Sequence, residues 1–539
     1  MSNSFNFKIA GAAGEGIKKS GLIFSKTCFK HGLFVQGYTE YPSLIRGGRN
    51  TFQVHASPTP TLSPITKIDL LIDLQNEGDF PITDINKQAG GSSQTKNMAG
   101  LGIACFYFGL SLDILNQVIS ATFAKKSKEV IDLNHKITTA GYQYAQKNPK
   151  TKAQPTIQPK PHQEQLFLTG NEAIALGAIA GGMKLYLAYP MTPATGILHS
   201  LAAKAKTANI AVRQAEDEIG VINMAIGAGF NGVRSMVATS GGGFSLMTEG
   251  LGLAGVTETP VVIVNSMRPG PASGMPTWSS QGDLLYMING SQDEFPRIVM
   301  TPADPEEAFD LSKKAQNLAE KYQLPVIILV DKFLSASYFT VKKFPATHQN
   351  QRYGFADTSK LDNETPFARY KDTDTGVSPR TIPGQSGGVH LCNSYEHDEL
   401  GYATEESEER TKQVDKRAKK VSQILSDPDF TTPILFGPAS AENTLISWGS
   451  NKGVILQALK TLKNTNLIHF PIVWPFPKTK FLELTKTTKN LIIVECNHDA
   501  QLAKLIRQET GMEIKNKLLK YDGRPFFPQE IIDYVQKNN

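Results

Sequence analysis

Cysteine is scarce in this chain, and its spacing excludes a local metal or cluster motif. The 539 residues contain four cysteines, Cys28, Cys105, Cys392 and Cys496. A zinc ribbon or a ferredoxin-type cluster loop needs several cysteines only a few residues apart. Scattered cysteines are typical of free thiols, mostly buried, in a reducing compartment. We therefore expect a cytoplasmic protein in which the cysteines hold no metal.

Long apolar runs and a strong charge imbalance are also missing. The chain has no apolar stretch of the roughly 18 residues that a membrane helix needs, and its N-terminus does not resemble a signal peptide. Lys plus Arg number 56 and Asp plus Glu 50, without a dense basic stripe. We therefore expect neither a nucleic acid nor a membrane as partner. The mild positive charge is compatible with an acidic protein partner.

The residues that are present predict several α/β domains, since roughly 100–200 residues form one domain. In the first segment, 1–145, the strand Phe5–Ala10 leads through a glycine turn to the helix Ile17–His31. The stretch 146–165 is rich in Pro, Lys and Gln, and we expect a flexible linker there.

The segment 166–341 alternates short apolar runs with helical patterns. Val261–Val264, Ile298–Met300 and Pro325–Val330 are typical of buried strands, whereas Pro305–Tyr322 has helical spacing. This alternation predicts a parallel sheet with helices on both faces.

The remainder divides into a polar connecting segment, 342–429, and a further α/β domain, 430–539. The connecting segment is poor in periodicity, and only its charge-dense stretch Thr404–Ile424 predicts a helix, on the surface. In the last domain, Val454–Leu462 predicts a helix and Asn490–Glu495 a strand. The fold class is thus α/β with several doubly wound domains.

The first glycine turn, Gly11–Gly16, could present backbone N–H groups to a phosphate. Its order is GxxGxG rather than GxGxxG, and no acid is expected to end the next strand, which leads into Gly37 and Tyr38. A tight packing turn is therefore favoured, and a nicotinamide-dependent dehydrogenase is an alternative. Nearby, Arg46-Gly-Gly48 is either a functional loop or a plain turn.

Two stretches of the second domain present polar groups after strands. Thr192 stands between prolines in Leu187–Thr195, which hold its backbone stiffly, and it either binds a ligand or caps a helix. Glu216-Asp-Glu218 precedes an apolar, small-residued helix. Acids commonly stabilise a helix N-terminus, but a carboxylate beside a buried helix also has a tunable pKa.

Two further stretches lie after strands as well. Ser240–Gly243 is a second glycine turn before a helix. Arg268 directly follows a strand, where a guanidinium can grip a carboxylate with two hydrogen bonds, although a surface arginine is the simpler reading. Open α/β sheets bind ligands beyond such strand ends.

Together these stretches resemble the alpha subunit of the 2-oxoacid:ferredoxin oxidoreductases. Order and spacing match from residue 189 to residue 477, in these stretches: Tyr189–Pro193, Glu216–Glu218, Thr239–Met247, Arg268–Thr277, Gln281–Leu284, Phe295–Ile298, Ser378–Gly384, Glu396–Glu399, Trp448–Ser450 and Pro475–Pro477. The first segment resembles the family's gamma subunit fused in front. The resemblance implies a gamma-type domain, a pyrimidine-binding domain at 166–341 and a transketolase-C-like domain at 430–539.

The resemblance also implies an enzyme that is active only with a beta subunit. Thiamine diphosphate would lie between the two chains, with its pyrimidine on this chain, and with the diphosphate, Mg²⁺ and an iron–sulfur cluster on the beta subunit. A 2-oxoacid, 2-oxoglutarate by preference, would be decarboxylated oxidatively to an acyl-coenzyme A, with electrons passing to ferredoxin, in an assembly of two alpha and two beta chains. Pyruvate, branched-chain or aryl 2-oxoacids, or a non-catalytic scaffold role, are the alternatives.

The resemblance assigns roles to individual residues. Glu218, nine residues before Gly227, is implied as the catalytic carboxylate at the pyrimidine, with Glu216 as the alternative. Thr192 and Arg268 are implied in substrate binding, and no metal ligand is expected in this chain. The implied cofactor-binding residues are Tyr189, Pro190, Ser240, Gly241, Gly243 and Phe244. Gly242, Trp278 and Ser280 depart from the family pattern, which bears on the choice of substrate.

Overall fold

The computed structural model describes residues 4–43, 48–148, 154–345 and 351–538. Up to residue 169 the elements are, in chain order, β1 (Phe5–Ala12), α1 (Ile17–Lys30), β2 (Phe34–Glu40), β3 (Arg49–Ser57), β4 (Leu70–Asp73), α2 (Ile82–Gln88), α3 (Lys96–Tyr107), α4 (Leu112–Thr122), α5 (Lys128–Lys147) and β5 (Gln165–Thr169).

The middle of the chain alternates strands and helices. These elements are α6 (Gly170–Ala180), β6 (Leu185–Ala188), α7 (Thr195–Ala208), β7 (Ala211–Gln214), α8 (Glu218–Phe230), β8 (Ser235–Thr239), α9 (Gly241–Val256), β9 (Val261–Met267), α10 (Leu284–Asn289), β10 (Ile298–Met300), α11 (Pro305–Tyr322), β11 (Pro325–Asp331), α12 (Lys332–Ala336) and β12 (Tyr338–Lys342).

The last part begins with irregular chain that contains the short 3-10 helix Thr358–Lys360. The elements that follow are α13 (Ser407–Leu425), β13 (Ile434–Phe436), β14 (Asn443–Trp448), α14 (Asn451–Leu459), β15 (Thr465–Phe470), β16 (Ile472–Trp474), α15 (Lys478–Thr485), β17 (Asn490–Glu495), α16 (Gln501–Thr510), β18 (Asn516–Leu519) and α17 (Pro528–Lys537). Over the described residues, none of these helices is both long and apolar enough to cross a bilayer.

The first compact unit is assembled from three stretches of the chain, 1–169, 336–343 and 527–539. Its sheet has the order β4-β1-β3-β2-β12-β5. Only β1 and β4 are parallel, and the other neighbours are antiparallel. The core includes stacked rings, with Phe5 and Phe108 at 4.1 Å between centroids.

The unit differs from the sequence expectations in three respects. β5 and β12, both expected in the pyrimidine-binding domain, belong to its sheet. The stretch expected as a flexible linker is held to this unit in its described part, because the N–H groups of Gln154 and Ile157 donate to the carbonyls of Tyr107 and Gly109. β2 does end in an acid, Glu40, but it runs antiparallel to β3, unlike the parallel strands of a dinucleotide-binding unit.

The second compact unit comprises 170–335 and 344–526 and contains two sheets. The larger has the order β16-β10-β11-β9-β8-β6-β7 and is parallel except for β16, so the parallel sheet expected at 166–341 gains an antiparallel edge strand from the C-terminal part. The smaller has the order β13-β15-β14-β17-β18, with β13 alone antiparallel. The doubly wound α/β class is thereby confirmed for this unit.

The helix α13 is less superficial than its charge density predicts. Lys416 and Lys420 are 0% and 1% exposed. Both ammonium groups pair with the carboxylate of Glu258, which is itself 1% exposed. A buried partner of opposite sign allows this charged face to leave water.

Candidate active site

The candidate site lies at the carboxyl ends of four adjacent parallel strands in the second unit. The strands β7, β6, β8 and β9 are neighbours in the sheet, and Thr239 and Asn265 lie opposite each other in its register. Tyr189–Thr192 follow β6, Glu216–Glu218 follow β7, Ser240 follows β8 and Arg268 follows β9. The topology therefore brings all the stretches singled out in this domain to one edge, where open α/β sheets bind ligands.

Glu218 is a buried carboxylate with an unsatisfied oxygen. It is the first residue of α8, whose N-cap is Asp217, with the Asp217 carboxylate accepting from the N–H of Gly220 at 2.8 Å. Glu218 is 3% exposed, and its Oε1 has no hydrogen-bond partner among the described residues. Glu216, the alternative, is exposed to solvent. A buried acceptor without a donor is costly, so Glu218 is prepared for a ligand that donates.

Two of the three glycines that begin α9 make room for carboxylates. A Cβ on Gly243 would lie 2.1 Å from Thr239 Oγ1 and 2.5 Å from Glu218 Oε1. A Cβ on Gly241 would lie 2.7 Å from Asp283 Oδ2. Gly242 has no such constraint, because its nearest neighbour would be the carbonyl oxygen of Ala272 at 3.9 Å. The glycine run thus lets Glu218 and Asp283 approach the helix backbone closely.

Arg268 and Thr192 are in direct contact. One guanidinium nitrogen, Nη1, donates to the carbonyl oxygen of Thr192 at 2.8 Å. Both side chains are half-buried, and burial lowers the pKa of Arg268. The contact fixes the guanidinium beside the strand ends while its fork geometry leaves further N–H groups for a ligand.

The other implied cofactor-binding residues differ in exposure and in their partners. Ser240 is fully buried, and its hydroxyl lacks a partner among the described residues. Tyr189 is 39% exposed and Pro190 is half-buried. The Phe244 ring, by contrast, packs in the core, edge-on to Tyr286 at 5.4 Å. Any contact of Phe244 with a cofactor is therefore limited to its backbone.

Sequence reasoning did not single out Asn265 or Asp283. Asn265 is fully buried, and its amide donates to Asp283 Oδ2 at 3.0 Å while its own oxygen lacks a partner among the described residues. Burial raises the pKa of Asp283, although the hydrogen bond from Asn265 acts in the opposite direction. The only signal in the sequence was the Gln281–Leu284 match, which gives no indication of where the carboxylate lies.

The glycine turn of the first unit is closed by its own residues. Glu15 Oε2 accepts from the N–H of Ala12 at 2.6 Å, and Lys96 pairs with Glu15 Oε1 at 3.0 Å. A carboxylate of the turn thus occupies the place where a phosphate would compete for N–H groups, which favours the packing reading. Arg46 and Gly47 of the other proposed loop lie outside the described residues.

Comparison with known proteins identifies relatives along nearly the whole chain. Residues 176–416 match the family described as pyruvate flavodoxin/ferredoxin oxidoreductase, thiamine diphosphate-binding. Residues 6–78 and 78–144 match the pyruvate ferredoxin/flavodoxin oxidoreductase family. A 2-oxoacid:ferredoxin oxidoreductase subunit alpha from Sulfolobus sp. is 31% identical, over 98% of this chain and 96% of the relative. The chain belongs to this alpha-subunit family.

Other members of the oxidoreductase family agree in fold and sequence. The 2-oxoglutarate synthase subunit KorA of Methanothermobacter marburgensis is 32% identical, over 69% of this chain and 98% of its own. The 2-oxoglutarate:ferredoxin oxidoreductase of Magnetococcus marinus, solved with 2-oxoglutarate, coenzyme A and succinyl-CoA bound, superposes with a TM-score of 0.92. It is 29% identical and covers 99% of both chains.

As an alpha subunit of this oxidoreductase family, the chain contains a thiamine diphosphate-binding domain and is one component of a multi-subunit enzyme. The residues at the strand ends fit the cofactor. Glu218 presents a buried, unpaired acceptor and Gly243 leaves space beside it. A heterocycle with a protonated ring nitrogen would donate the hydrogen bond that the Glu218 oxygen lacks among the described residues.

Proposed function

We propose that this chain provides the pyrimidine half of a thiamine diphosphate site in a 2-oxoglutarate:ferredoxin oxidoreductase. The enzyme decarboxylates the 2-oxoacid oxidatively, transfers the acyl group to coenzyme A and passes two electrons to ferredoxin. The observation that carries the proposal is the orphan Oε1 of buried Glu218 at the edge where four parallel strands end. The relatives named for 2-oxoglutarate support the choice of substrate.

Glu218 is the residue that acts on the cofactor. When bound, thiamine diphosphate supplies a nucleophilic carbon for the 2-oxo group and accepts the electron pair released with carbon dioxide. Glu218 holds a proton at N1′ of the pyrimidine, and Gly243 keeps the path to its oxygen open. Because the carboxylate is buried, its hydrogen bond to the ring is stronger than in water.

Arg268 and Thr192 position the substrate. A 2-oxoacid carries a carboxylate that must be held at a fixed angle to the reacting carbon. Arg268 is anchored on the carbonyl of Thr192 and offers its remaining N–H groups to that carboxylate, while the Thr192 hydroxyl is a directed donor for the 2-oxo group. The two residues thus orient the anion rather than react with it.

A beta subunit completes the site with the diphosphate ligands, Mg²⁺ and an iron–sulfur cluster, in an assembly of two alpha and two beta chains. The helices α8 and α9, which begin at the site, carry exposed apolar side chains. Ile219, Met224 and Leu246 are 50%, 48% and 49% exposed. Large exposed apolar side chains are typical of subunit interfaces, and we assign the exposed surface of α8 and α9 to the beta subunit.

The catalytic assignment is tested in the complex of this chain with its beta subunit. We expect Glu218→Gln to lower 2-oxoglutarate-dependent acceptor reduction by about 10²–10⁴-fold, and to weaken thiamine diphosphate binding measured by fluorescence quenching. Glu216→Gln is the matched control, an exposed glutamate two residues away, and should leave both unchanged. Full activity in Glu218→Gln, or its loss in Glu216→Gln, would contradict the assignment.

The substrate is tested separately, by kcat/KM of the same complex for 2-oxoglutarate, pyruvate, a branched-chain 2-oxoacid and an aryl pyruvate. 2-Oxoglutarate should give the highest value. A preference for another 2-oxoacid would correct the substrate and leave the reaction class intact. If none is decarboxylated and the complex does not bind thiamine diphosphate, the result favours the scaffold alternative.

The interface is tested by co-purification with the tagged beta subunit. Ile219→Asp places a charge in the apolar face and should abolish capture, because a buried unpaired carboxylate is strongly unfavourable. Val389→Asp is the control, since Val389 is 86% exposed but lies outside α8 and α9. Equal capture of both variants would exclude the α8–α9 face.

A further inference from the structure

Arg297 is a buried cation for which the described part of the chain supplies no anionic partner. Its side chain belongs to the Phe295–Ile298 stretch, which the proposed chemistry does not use. Arg297 is 3% exposed, and among the described residues it forms no ion pair. Nη1 donates to the carbonyl oxygen of Gly290, and the guanidinium lies 4.2 Å above the Phe295 ring.

The environment makes this charge unfavourable without a further partner. Burial lowers the pKa of Arg297 to about 10, and no carboxylate counteracts that effect. The other buried arginine nearby, Arg417, is by contrast neutralised by Glu396 through two hydrogen bonds of 3.0 and 2.8 Å. Buried guanidinium groups in proteins are normally paired, so the unpaired one indicates a site for an anion.

A cleft of about 380 Å³ opens beside Arg297. The size is within the range of small-molecule sites. One wall is the helix α13, which presents Val414, Ala418 and Val421 at helical spacing, and Trp474 and Phe295 also line the space. The cleft thus combines these apolar side chains with Arg297, for which the described residues supply no carboxylate partner.

The acids at this cleft do not neutralise Arg297. Asp293 pairs with Arg410 at 2.6 Å, and its carboxylate also accepts from the N–H of Glu294. Glu294 is exposed, without an ion pair to Arg297 among the described residues. An anion that enters the cleft therefore meets a guanidinium that has no carboxylate partner among the described residues, beside the apolar side chains of α13.

We propose that this cleft binds a small amphipathic carboxylate, with the carboxylate on Arg297 and the apolar body between Trp474 and the Val414–Val421 face of α13. A carboxylate matches the planar fork of a guanidinium in two parallel hydrogen bonds. An apolar tail fits the walls better than water does, because burying it removes apolar surface from the solvent. The site involves none of the residues assigned to the proposed reaction.

The test measures binding of hexanoate to the assembled complex by titration calorimetry, with 1-hexanol and inorganic phosphate as comparison probes. Hexanoate should bind at one site per chain and more tightly than either probe, because only it offers both the anion and the tail. Equal affinity for 1-hexanol would overturn the role of Arg297, and equal affinity for phosphate would overturn the role of the apolar wall.

Variants identify the site. Ala418→Trp fills the cleft from an exposed helix position and should weaken hexanoate binding by at least about tenfold, and Arg297→Met should do the same. Arg524→Met is the control that should bind as the unmodified complex does, since the Arg524 guanidinium lies over the Trp278 ring at 3.9 Å. Arg268→Met tests whether hexanoate occupies the candidate active site instead. If Arg297→Met fails to fold, Ala418→Trp decides alone.

Three outcomes overturn the proposal. Undiminished binding in Ala418→Trp would place hexanoate elsewhere, and loss in Arg268→Met would place it in the candidate active site. Binding to the separate chain that disappears on assembly with the beta subunit would show that the cleft is a protein interface, with a partner side chain as the anion.

Discussion

Glu218 and Glu258 are two glutamates of the same unit with nearly the same burial and opposite surroundings. Glu218 is 3% exposed and has an oxygen without a partner among the described residues, whereas Glu258 is 1% exposed and pairs with two buried lysines. Burial alone would raise the pKa of Glu258, but Lys420, Lys416 and Arg369 hold it well below its ordinary value. Burial alone therefore does not indicate the role of a carboxylate, and the groups that contact it must be considered as well.

The largest loss of stability is expected when Glu258 is neutralised. Glu258→Gln leaves Lys416 and Lys420 buried without a carboxylate, so we expect a loss of about 3–5 kcal/mol in the free energy of unfolding. Urea unfolding followed by tryptophan fluorescence measures it. Adding Lys416→Met should recover part of the loss, since it removes one of the stranded charges. A change below about 1 kcal/mol would show that the cluster does not stabilise the unit.

The close approach at Gly243 gives the next largest effect. Gly243→Ala forces the new methyl group against Thr239 and Glu218, and we expect a loss of about 1–3 kcal/mol together with weaker thiamine diphosphate binding. Gly242→Ala, one residue away and with open space, should change neither. Calorimetric binding and urea unfolding of both variants test the contrast. Equal stability and equal thiamine diphosphate binding of Gly243→Ala and Gly242→Ala would contradict this prediction.

The strand ends show how much of the site could be predicted from the sequence. Apolar runs followed by Thr192, Glu218, Ser240 and Arg268 already indicated that these residues lie beyond parallel strands. The choice between Glu216 and Glu218 could not be made, because two residues at the start of a helix differ in burial only once the helix is packed. Asn265 and Asp283 were missed, because their contact joins a strand and a loop through the tertiary fold.

The expected fold was wrong for elements whose ion-pair or strand partners are distant in sequence. The charge density of α13 predicted a surface helix, since the buried Glu258 that neutralises Lys416 and Lys420 lies more than a hundred residues earlier. Likewise, β5 and β12 have the composition of ordinary strands, and nothing local indicates which sheet they join. Local pattern therefore predicted the elements well and their long-range partners poorly.

A smaller effect is expected in the pH dependence of the stability that Glu258 contributes. Because the pKa of Glu258 is lowered in the folded state, its contribution is fully present above the unfolded value of about 4.3 and is lost as pH falls toward the folded value. The stability difference between the unmodified chain and Glu258→Gln should therefore shrink below about pH 4, by at most about 1.4 kcal/mol per pH unit. Urea unfolding at a series of pH values measures it, and a difference that stays constant would contradict it.

The smallest change is expected for Glu218, the glutamate that we propose to act on the cofactor. Glu218→Gln keeps the shape of the side chain and removes a buried carboxylate that has no cationic partner among the described residues, so stability should change by less than about 1 kcal/mol or rise slightly. The same urea experiment measures it. A loss as large as that of Glu258→Gln would mean that Glu218 has a structural partner and would remove the contrast.

The strand Tyr338–Lys342 lies between β2 and β5 in the first unit's sheet. While the ribosome is still translating residues 170–335, β2 and β5 have no such neighbour, and their N–H and C=O groups on that side remain open to other chains. The N-terminal unit therefore cannot close its sheet cotranslationally until more than three hundred residues have emerged.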